Sequence, residues 1–376
     1  MKILAISNKV NHSESLQLFG QEDITFLYWS GRLGIFGSNY PYNNGVRLHN
    51  FTKMSFIRRI IIKQNIDIIY FFTDVGFPVY KKFAKRIFKT NFGIPKVFAM
   101  HNHLLKKTDY EKAVIKNADG YVFLNKESFE FYNQAFSLTN PVTFIPSLYL
   151  PKFSTYKTFI GQEKLSNKDK EIHVAMGGRF ITSNPNVDIK NYYNQERYDF
   201  INLCIELAKR KVHCHIFGDY VFIPNGRKPV VSSAVKSHYE YLIKNYNYIH
   251  YEGVPSNFEY VLSRYDFFIC KGFLPNYNVD FYEHINYQAR FNSALIASLP
   301  LIIATGTDKT LEEQVNENGG GIVFEDFDIL QKELVKVLKD KNLISMEKIK
   351  KINSFDAWVD QLKLFFSKVI ERHNRD

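Results

Sequence analysis

Short apolar runs alternate with longer stretches of helical period along most of this chain. The runs Lys2–Ser7, Ile24–Trp29, Asp67–Phe72, Lys96–Met100 and Gly120–Leu124 are continuous rather than alternating, as expected of strands buried on both faces of a parallel sheet. A helix is expected between the first two runs. Phe56–Gln64, the basic segment Lys81–Lys89 ending near Gly93, and Tyr110–Asn117 carry apolar residues at helical spacing. Strands alternating with helices in this way predict a parallel sheet with right-handed crossovers. The Gly- and Asn-rich stretch Ser30–Gly45 reads as irregular.

Between Thr139 and Lys170 the alternation stops. Pro141, Pro146 and Pro151 are followed by a polar, Lys-rich segment without helical or strand period, which marks a domain boundary. A second series of the same kind then begins with the strand Ile172–Met176, a Gly-Gly-Arg turn, a helix over Tyr198–Lys209 and the strand Val212–Phe217. From Tyr248 to Phe324 come the apolar runs Phe267–Cys270, Leu299–Ala304 and Gly321–Phe324. The segments Asp328–Leu338 and Phe355–Arg372, with Trp358, Leu362, Phe365, Phe366 and Ile370 at helical spacing, read as packing helices. At 376 residues the chain exceeds what one hydrophobic core usually serves, so two domains are expected.

Composition narrows the class. With 45% hydrophobic residues the chain is globular rather than disordered. Cys204, Cys214 and Cys270 lie inside apolar runs without CxxC pairing, which argues against a disulfide framework or a zinc site and for small buried side chains in a reducing compartment. The opening MKILAIS enters a strand pattern at once, and no apolar run reaches bilayer-spanning length, so a soluble cytoplasmic protein is expected. The net charge of +11 predicts attraction to phosphate-bearing partners: nucleotide donors, anionic lipid or nucleic acid. Lys81, Lys82, Lys85, Arg86 and Lys89, with Phe83, Ile87 and Phe88 between them, fit a helix lying on an anionic membrane. They fit also a helix packed on the sheet with solvated lysines.

The ordered set GGR (177–179), HIFGDY (215–220), YEGVP (251–255), LSRYDFFICKG, ARFNSALIASLPLIIATGTD and NENGGGIVF resembles the donor-sugar domain of GT-B glycosyltransferases. The likeness is to the group 4-like retaining enzymes typified by bacterial lipopolysaccharide and sucrose glycosyltransferases. It covers residues 170 to 325 well and the N-terminal half only in layout. It implies an α/β fold with two Rossmann-like, doubly wound parallel-sheet domains facing across a cleft. Residues 1–150, joined by the C-terminal helix 355–376, would form the acceptor domain, and residues 151–354 the nucleotide-sugar donor domain.

A departing nucleoside diphosphate has to be stabilised, and without a metal this falls to Arg, Lys and backbone N–H groups. Gly177, Gly178 and Arg179 resemble the turn whose arginine contacts the diphosphate in that family. The lysine that follows there is absent here, where NQERYDF offers Arg197, with Lys190 as the other cation. Gly218 lies in the next strand-end turn, and Gly253 and Val254 resemble the loop whose backbone pairs with the base. The family's Glu-seven residues-Glu motif is broken: Ser293 stands where the ribose-binding second glutamate is expected and Ile285 where the first falls, with Asp280 and Glu283 close by. Arg290 on the same segment resembles the arginine that holds the diphosphate in phage DNA glucosyltransferases and some inverting enzymes. Asp266 resembles an acidic residue at the head of a buried strand and reads as structural.

On the N-terminal side, AMHNH resembles the H-x-H turn whose first histidine, here His101, reaches the transferred sugar; His103 is the second. No third ligand of suitable spacing accompanies the pair, so metal binding is not expected of them. The loop after the first strand lacks the Gly-Gly turn many GT-B enzymes use, leaving Asn8, His12 and Ser13 there. Asp74 is the better-placed carboxylate for a base, and as a turn former it needs no catalytic role.

The resemblance implies a hexosyltransferase that moves a sugar from a UDP- or GDP-linked donor to a surface-glycan or lipid-linked acceptor. No metal or other cofactor is expected. An anionic membrane face is a further expected partner, which would place the protein peripherally on the inner side of a membrane. The broken motif leaves retention or inversion open. Two alternatives stand beside this reading. A phage-type DNA glucosyltransferase, favoured by the charge and by Arg290 with Ser293, would bind duplex with steep salt dependence. A non-catalytic partner subunit, suggested by the lost glutamate pair and glycine loop, would bind no nucleotide.

Overall fold

The computed structural model describes residues 1–7, 24–29, 45–48, 53–73, 78–100, 109–146, 150–179, 200–219, 221–222, 230–231, 233–253, 255–279 and 289–375. They form two compact units, Met1–Phe153 with Asn353–Asp376, and Ser154–Ile352. The first holds a parallel sheet of β1 (Ile3–Ser7), β2 (Ile24–Trp29), β3 (Gly45–Leu48), β4 (Ile68–Thr73), β5 (Lys96–Met100), β6 (Gly120–Phe123) and β7 (Val142–Phe144), ordered β3-β2-β1-β4-β5-β6-β7. The expected strands are continuous apolar runs because both of their faces are covered: Ile3, Leu4, Ala5 and Ile6 are all fully buried.

The basic helix, Pro78–Lys89, answers the question its sequence leaves open. Phe83, Ile87 and Phe88 are buried, and Phe88 meets Phe71 and Phe98 edge-on, with ring centroids 5.5 and 5.6 Å apart. The apolar face is therefore spent on the sheet, and Lys82, Arg86 and Lys89 are solvated. Helix Met54–Gln64 buries Ile57 and Ile61 and ends where Asn65 turns into the left-handed region (φ 52°).

The segment Phe355–Arg372 is not one helix. A 3-10 turn, Phe355–Ala357, precedes the helix Val359–His373. The turn is held by Asp356 Oδ2, which accepts from the Phe153 N–H at 2.6 Å. This anchor fixes the chain's direction before the helix starts. The helix then packs within the first unit, where Phe366 meets Tyr70 at 5.2 Å and Gln361 Nε2 donates to Thr143 Oγ1 at 2.9 Å.

The second unit holds a parallel sheet of β8 (Ile172–Arg179), β9 (Val212–Asp219), β12 (Ile249–Gly253), β13 (Phe267–Ile269), β14 (Leu301–Ala304) and β15 (Gly321–Phe324), ordered β12-β9-β8-β13-β14-β15. A separate antiparallel pair joins β10 (Val221–Phe222) and β11 (Val230–Val231). In the main sheet the chain moves outward from β8 to β12 and then returns to lay β13 beside β8, so the order reverses between β8 and β13. One face buries Val174, Met176, Cys204, Leu207, Cys214 and Ile216. All three cysteines are free and buried, as their apolar neighbours predict. Asp266, just before β13, accepts from the His173 N–H at 2.9 Å and the Ser166 hydroxyl at 2.5 Å, a structural role.

The stretch Thr139–Lys170 is more ordered than its pattern suggests. It contains β7 and the short helices Phe153–Thr158 and Ser166–Asp169. Each is too short to show a period, and β7 exists through its ladder with β6. The same reason hides β3, a four-residue strand paired with β2.

Gly120 opens β6 under the C-terminal helix, where a Cβ would lie 2.8 Å from Val369 Cγ2 and 3.0 Å from Phe365 Cζ. Gly120→Ala is therefore expected to lift the helix off the sheet and cost about 1–3 kcal/mol, the usual range for overpacking. Urea unfolding measures it.

Candidate functional site

In doubly wound sheets ligands bind beyond the carboxyl ends of the strands, where the order reverses. At that end of the second unit, Gly177 lies opposite Phe217, Gly178 opposite Gly218, and Arg179 opposite Asp219. Two adjacent strands thus finish in paired glycines, which lets another group approach the backbone closely. β12 reaches the same level through a bulge after Tyr251, with Gly253 opposite Phe217. Gly253 has φ 67°, and a Cβ there would meet only Tyr251 Oη at 3.9 Å. The Tyr251 hydroxyl donates to the Gly218 carbonyl at 3.2 Å, tying β12 to the end of β9. The three glycines expected in the donor site, Gly178, Gly218 and Gly253, are gathered on three neighbouring strand ends.

Arg290 is brought to the same place from far along the chain. It lies in the first turn of the helix Ala289–Ile296 and donates from Nη1 to the Gly177 carbonyl. A Cβ on Gly177 would stand 3.3 Å from Arg290 Cδ, so the missing side chain makes room for the arginine stem. Ser293 donates its hydroxyl to Glu259 Oε1 at 2.8 Å. A carboxylate from the helix Phe258–Leu262 therefore stands beside the position where a glutamate was expected. Glu259 is not singled out by the sequence, since no local period links residues 34 apart.

Beyond β13 the chain continues into Cys270 and Lys271. The Lys271 ammonium lies 2.7 Å from Asp308 Oδ2, with both side chains almost wholly buried. Asp308 also caps the helix Lys309–Asn318, its Oδ1 accepting from the Leu311 N–H at 3.1 Å. Burial pushes the Cys270 thiol up to about 12, with Asp308 adding to the shift while Arg290 and Lys271 oppose it. Cys270 therefore stays protonated and is no nucleophile. The carboxyl ends of β8, β13 and β14 carry a guanidinium, an ammonium and one matching carboxylate.

Arg179 is described only as the last residue of β8. His101, His103, Asp74, Asp280, Glu283, Arg197, Lys190, Val254, Asn8, His12 and Ser13 lie outside the described residues.

Two doubly wound parallel sheets, each reversing order beside its first strand, define the GT-B fold. No family model matches this chain, and no curated protein does. Among solved structures it is similar to sucrose-phosphate synthase from Thermosynechococcus elongatus (TM-score 0.60, 11% identity, covering 99% of this chain and 100% of that one). It is similar also to Anabaena HepE in complex with UDP-glucose (TM-score 0.55, 13% identity, 100% of both chains). A third is UDP-N-acetylglucosamine 2-epimerase from Rickettsia bellii (TM-score 0.53, 10% identity, 100% of this chain and 98% of that one). Proteins of different activity share this fold, so function has to be argued from the site.

Lys271→Met would leave the Asp308 carboxylate buried without its cation. The expected loss of stability is about 3–5 kcal/mol, read by chemical denaturation. Lys271→Arg, which keeps the charge, should lose less.

Proposed function

We propose that this protein is a glycosyltransferase that moves a hexosyl group from a UDP- or GDP-linked sugar without a metal ion. The observation that carries the reading is Arg290 seated on the Gly177 carbonyl at the sheet's switch point, beside strand ends made of glycine. In such a transfer the bond between the anomeric carbon and the diphosphate oxygen breaks, and negative charge grows on the departing phosphate. A guanidinium offers several N–H donors in a plane suited to phosphate oxygens. Arg290 takes that role, with Arg179 and Arg197 in support. Gly178 and Gly218 let the diphosphate approach the backbone, and Gly253 with Val254 meets the base.

Glu259, beside Ser293, supplies the carboxylate for the ribose hydroxyls that the broken glutamate motif lacks. His101 hydrogen-bonds the transferred sugar. If the reaction inverts, Asp74 or Glu283 is the base. The HepE complex with UDP-glucose supports a donor of this kind on this fold.

The acceptor in this reading is a surface glycan or a lipid-linked sugar. Helix Met54–Gln64 exposes Ile62 (69%) and Phe56 (37%) among the exposed Arg58, Arg59 and Lys63. Apolar side chains set in a basic face suit an anionic membrane surface. Among the described residues no helix is long and apolar enough to cross a membrane.

Thermal melts with UDP, GDP, CMP and dTDP, each with and without magnesium, test the donor site, because a ligand of the folded state raises the melting temperature. A rise with one nucleoside diphosphate, unchanged by magnesium, is expected. No rise with any of them would favour the non-catalytic partner subunit. Arg290→Ala should lower turnover several-fold to hundreds-fold, the equivalent of about 1–3 kcal/mol for a charge-assisted hydrogen bond. Unchanged turnover would remove Arg290 from the site. Glu259→Gln should raise the donor KM more than it lowers kcat.

A further inference from the structure

At the opposite end of the second sheet, four histidines lie on one face of three adjacent strands. His173 in β8 pairs with His213 in β9, and His215 in β9 pairs with His250 in β12. The strand period of two turns all four away from Val174, Cys214 and Ile216, which fill the core face. His173 and His215 are 4% and 5% exposed.

Their hydrogen bonds do not close. Asp169 Oδ2 lies 2.9 Å from His173 Nε2, His173 Nδ1 lies 2.9 Å from His215 Nε2, and His215 Nδ1 lies 2.7 Å from Glu252 Oε1. An ionised carboxylate only accepts, so each outer ring nitrogen carries its imidazole's proton. The inner nitrogens, His173 Nδ1 and His215 Nε2, then face each other lone pair to lone pair. The neighbouring chain has no such defect. Glu171 Oε2 accepts from the His213 Nε2–H at 2.5 Å, and His250 Nε2 then donates to His213 Nδ1 at 2.8 Å.

Either a shared proton or a metal cation would close the inner chain.

The geometry points to a structural metal site of the zinc class, with His173 Nδ1 and His215 Nε2 as ligands and His213 as the third. One ring nitrogen from each of these residues lies within 4.8 Å of the others. Neutral imidazoles select zinc, copper or nickel over calcium and magnesium. Asp169 and Glu252 hold the rings from behind, the usual support for ligating histidines. Two zinc–nitrogen bonds of about 2.0 Å at a tetrahedral angle put the nitrogens about 3.3 Å apart, so the present 2.9 Å opens by a few tenths. The His213 ring is stacked on His173, centroids 4.5 Å apart and 5° between planes, so to reach the same ion it has to turn and exchange one of its bonds, to Glu171 or to His250, for the metal.

His173 is the second residue of β8, whereas Gly177 and Gly178 are near its end. At about 3.3 Å per residue His173 lies about 13 Å from Gly177 and His215 about 10 Å from Gly218, so the metal is set back from the strand ends of the donor site. It would tie β8 to β9 and leave sugar transfer metal-free.

The full chain, stripped with a chelator and titrated with zinc, should take up one equivalent by elemental analysis and gain melting temperature. Magnesium and calcium should do nothing. Cobalt in place of zinc should give the visible absorption of a tetrahedral nitrogen site. Glu252→Gln, which leaves all the ligands in place, should weaken zinc binding about 10- to 100-fold, and His173→Gln and His215→Gln should abolish it. No uptake and no melting shift with excess zinc would overturn the site, as would a zinc response that survives His173→Gln with His215→Gln. A melting temperature indifferent to zinc but raised by acid would mean that a proton fills the gap, which also overturns it. None of these readouts involves nucleotide.

Discussion

The second unit depends on β8 being paired along both edges. Its ladder with β9 runs from Ile172 to Arg179, and its other edge carries β13. A parallel strand enclosed in this way has to be apolar on both faces, and its ends are the only places where the sequence is free to carry chemistry. The Gly-Gly-Arg turn occupies one end and His173 the other. Because β13 docks on β8 after a long excursion through β9 and β12, the sheet order reverses there. The reversal opens the place that Arg290 occupies.

The two ends of this sheet differ in electrostatic character. At the carboxyl ends, Arg290 and Lys271 bring positive charge, and Asp308 offsets part of it. At the starts, Asp169, Glu171 and Asp266 surround imidazoles and backbone N–H groups, and Glu252 reaches back from the far end of β12 to His215. The first end suits a departing diphosphate. The second suits a cation held between neutral rings. Both follow from the low cost of placing polar groups at strand ends and the high cost of burying them mid-strand without partners.

Most of the fold was legible in the sequence because a doubly wound sheet writes itself as apolar runs and helical stripes. The exceptions are physical. β3 and β7 are too short to show a period, and Trp358 interrupts a helix whose spacing looks continuous because Asp356 is anchored to the Phe153 N–H. The basic helix Pro78–Lys89 is ambiguous in sequence, since a face of Phe and Ile suits a lipid surface as well as a sheet; burial of Phe83 and Phe88 chose the sheet.

For the site, the sequence alone determined which residue types stand at strand ends: the glycines at 177, 178, 218 and 253, and an arginine at 290. Only the tertiary structure decided that Arg290 reaches the Gly177 carbonyl, that Glu259 stands beside Ser293, that Lys271 is paired with Asp308, and that His173 faces His215. Each of these contacts joins residues on different elements. Local pattern reports how a segment folds and which face it buries, whereas such contacts are set by strand order and helix docking, which come from long-range packing.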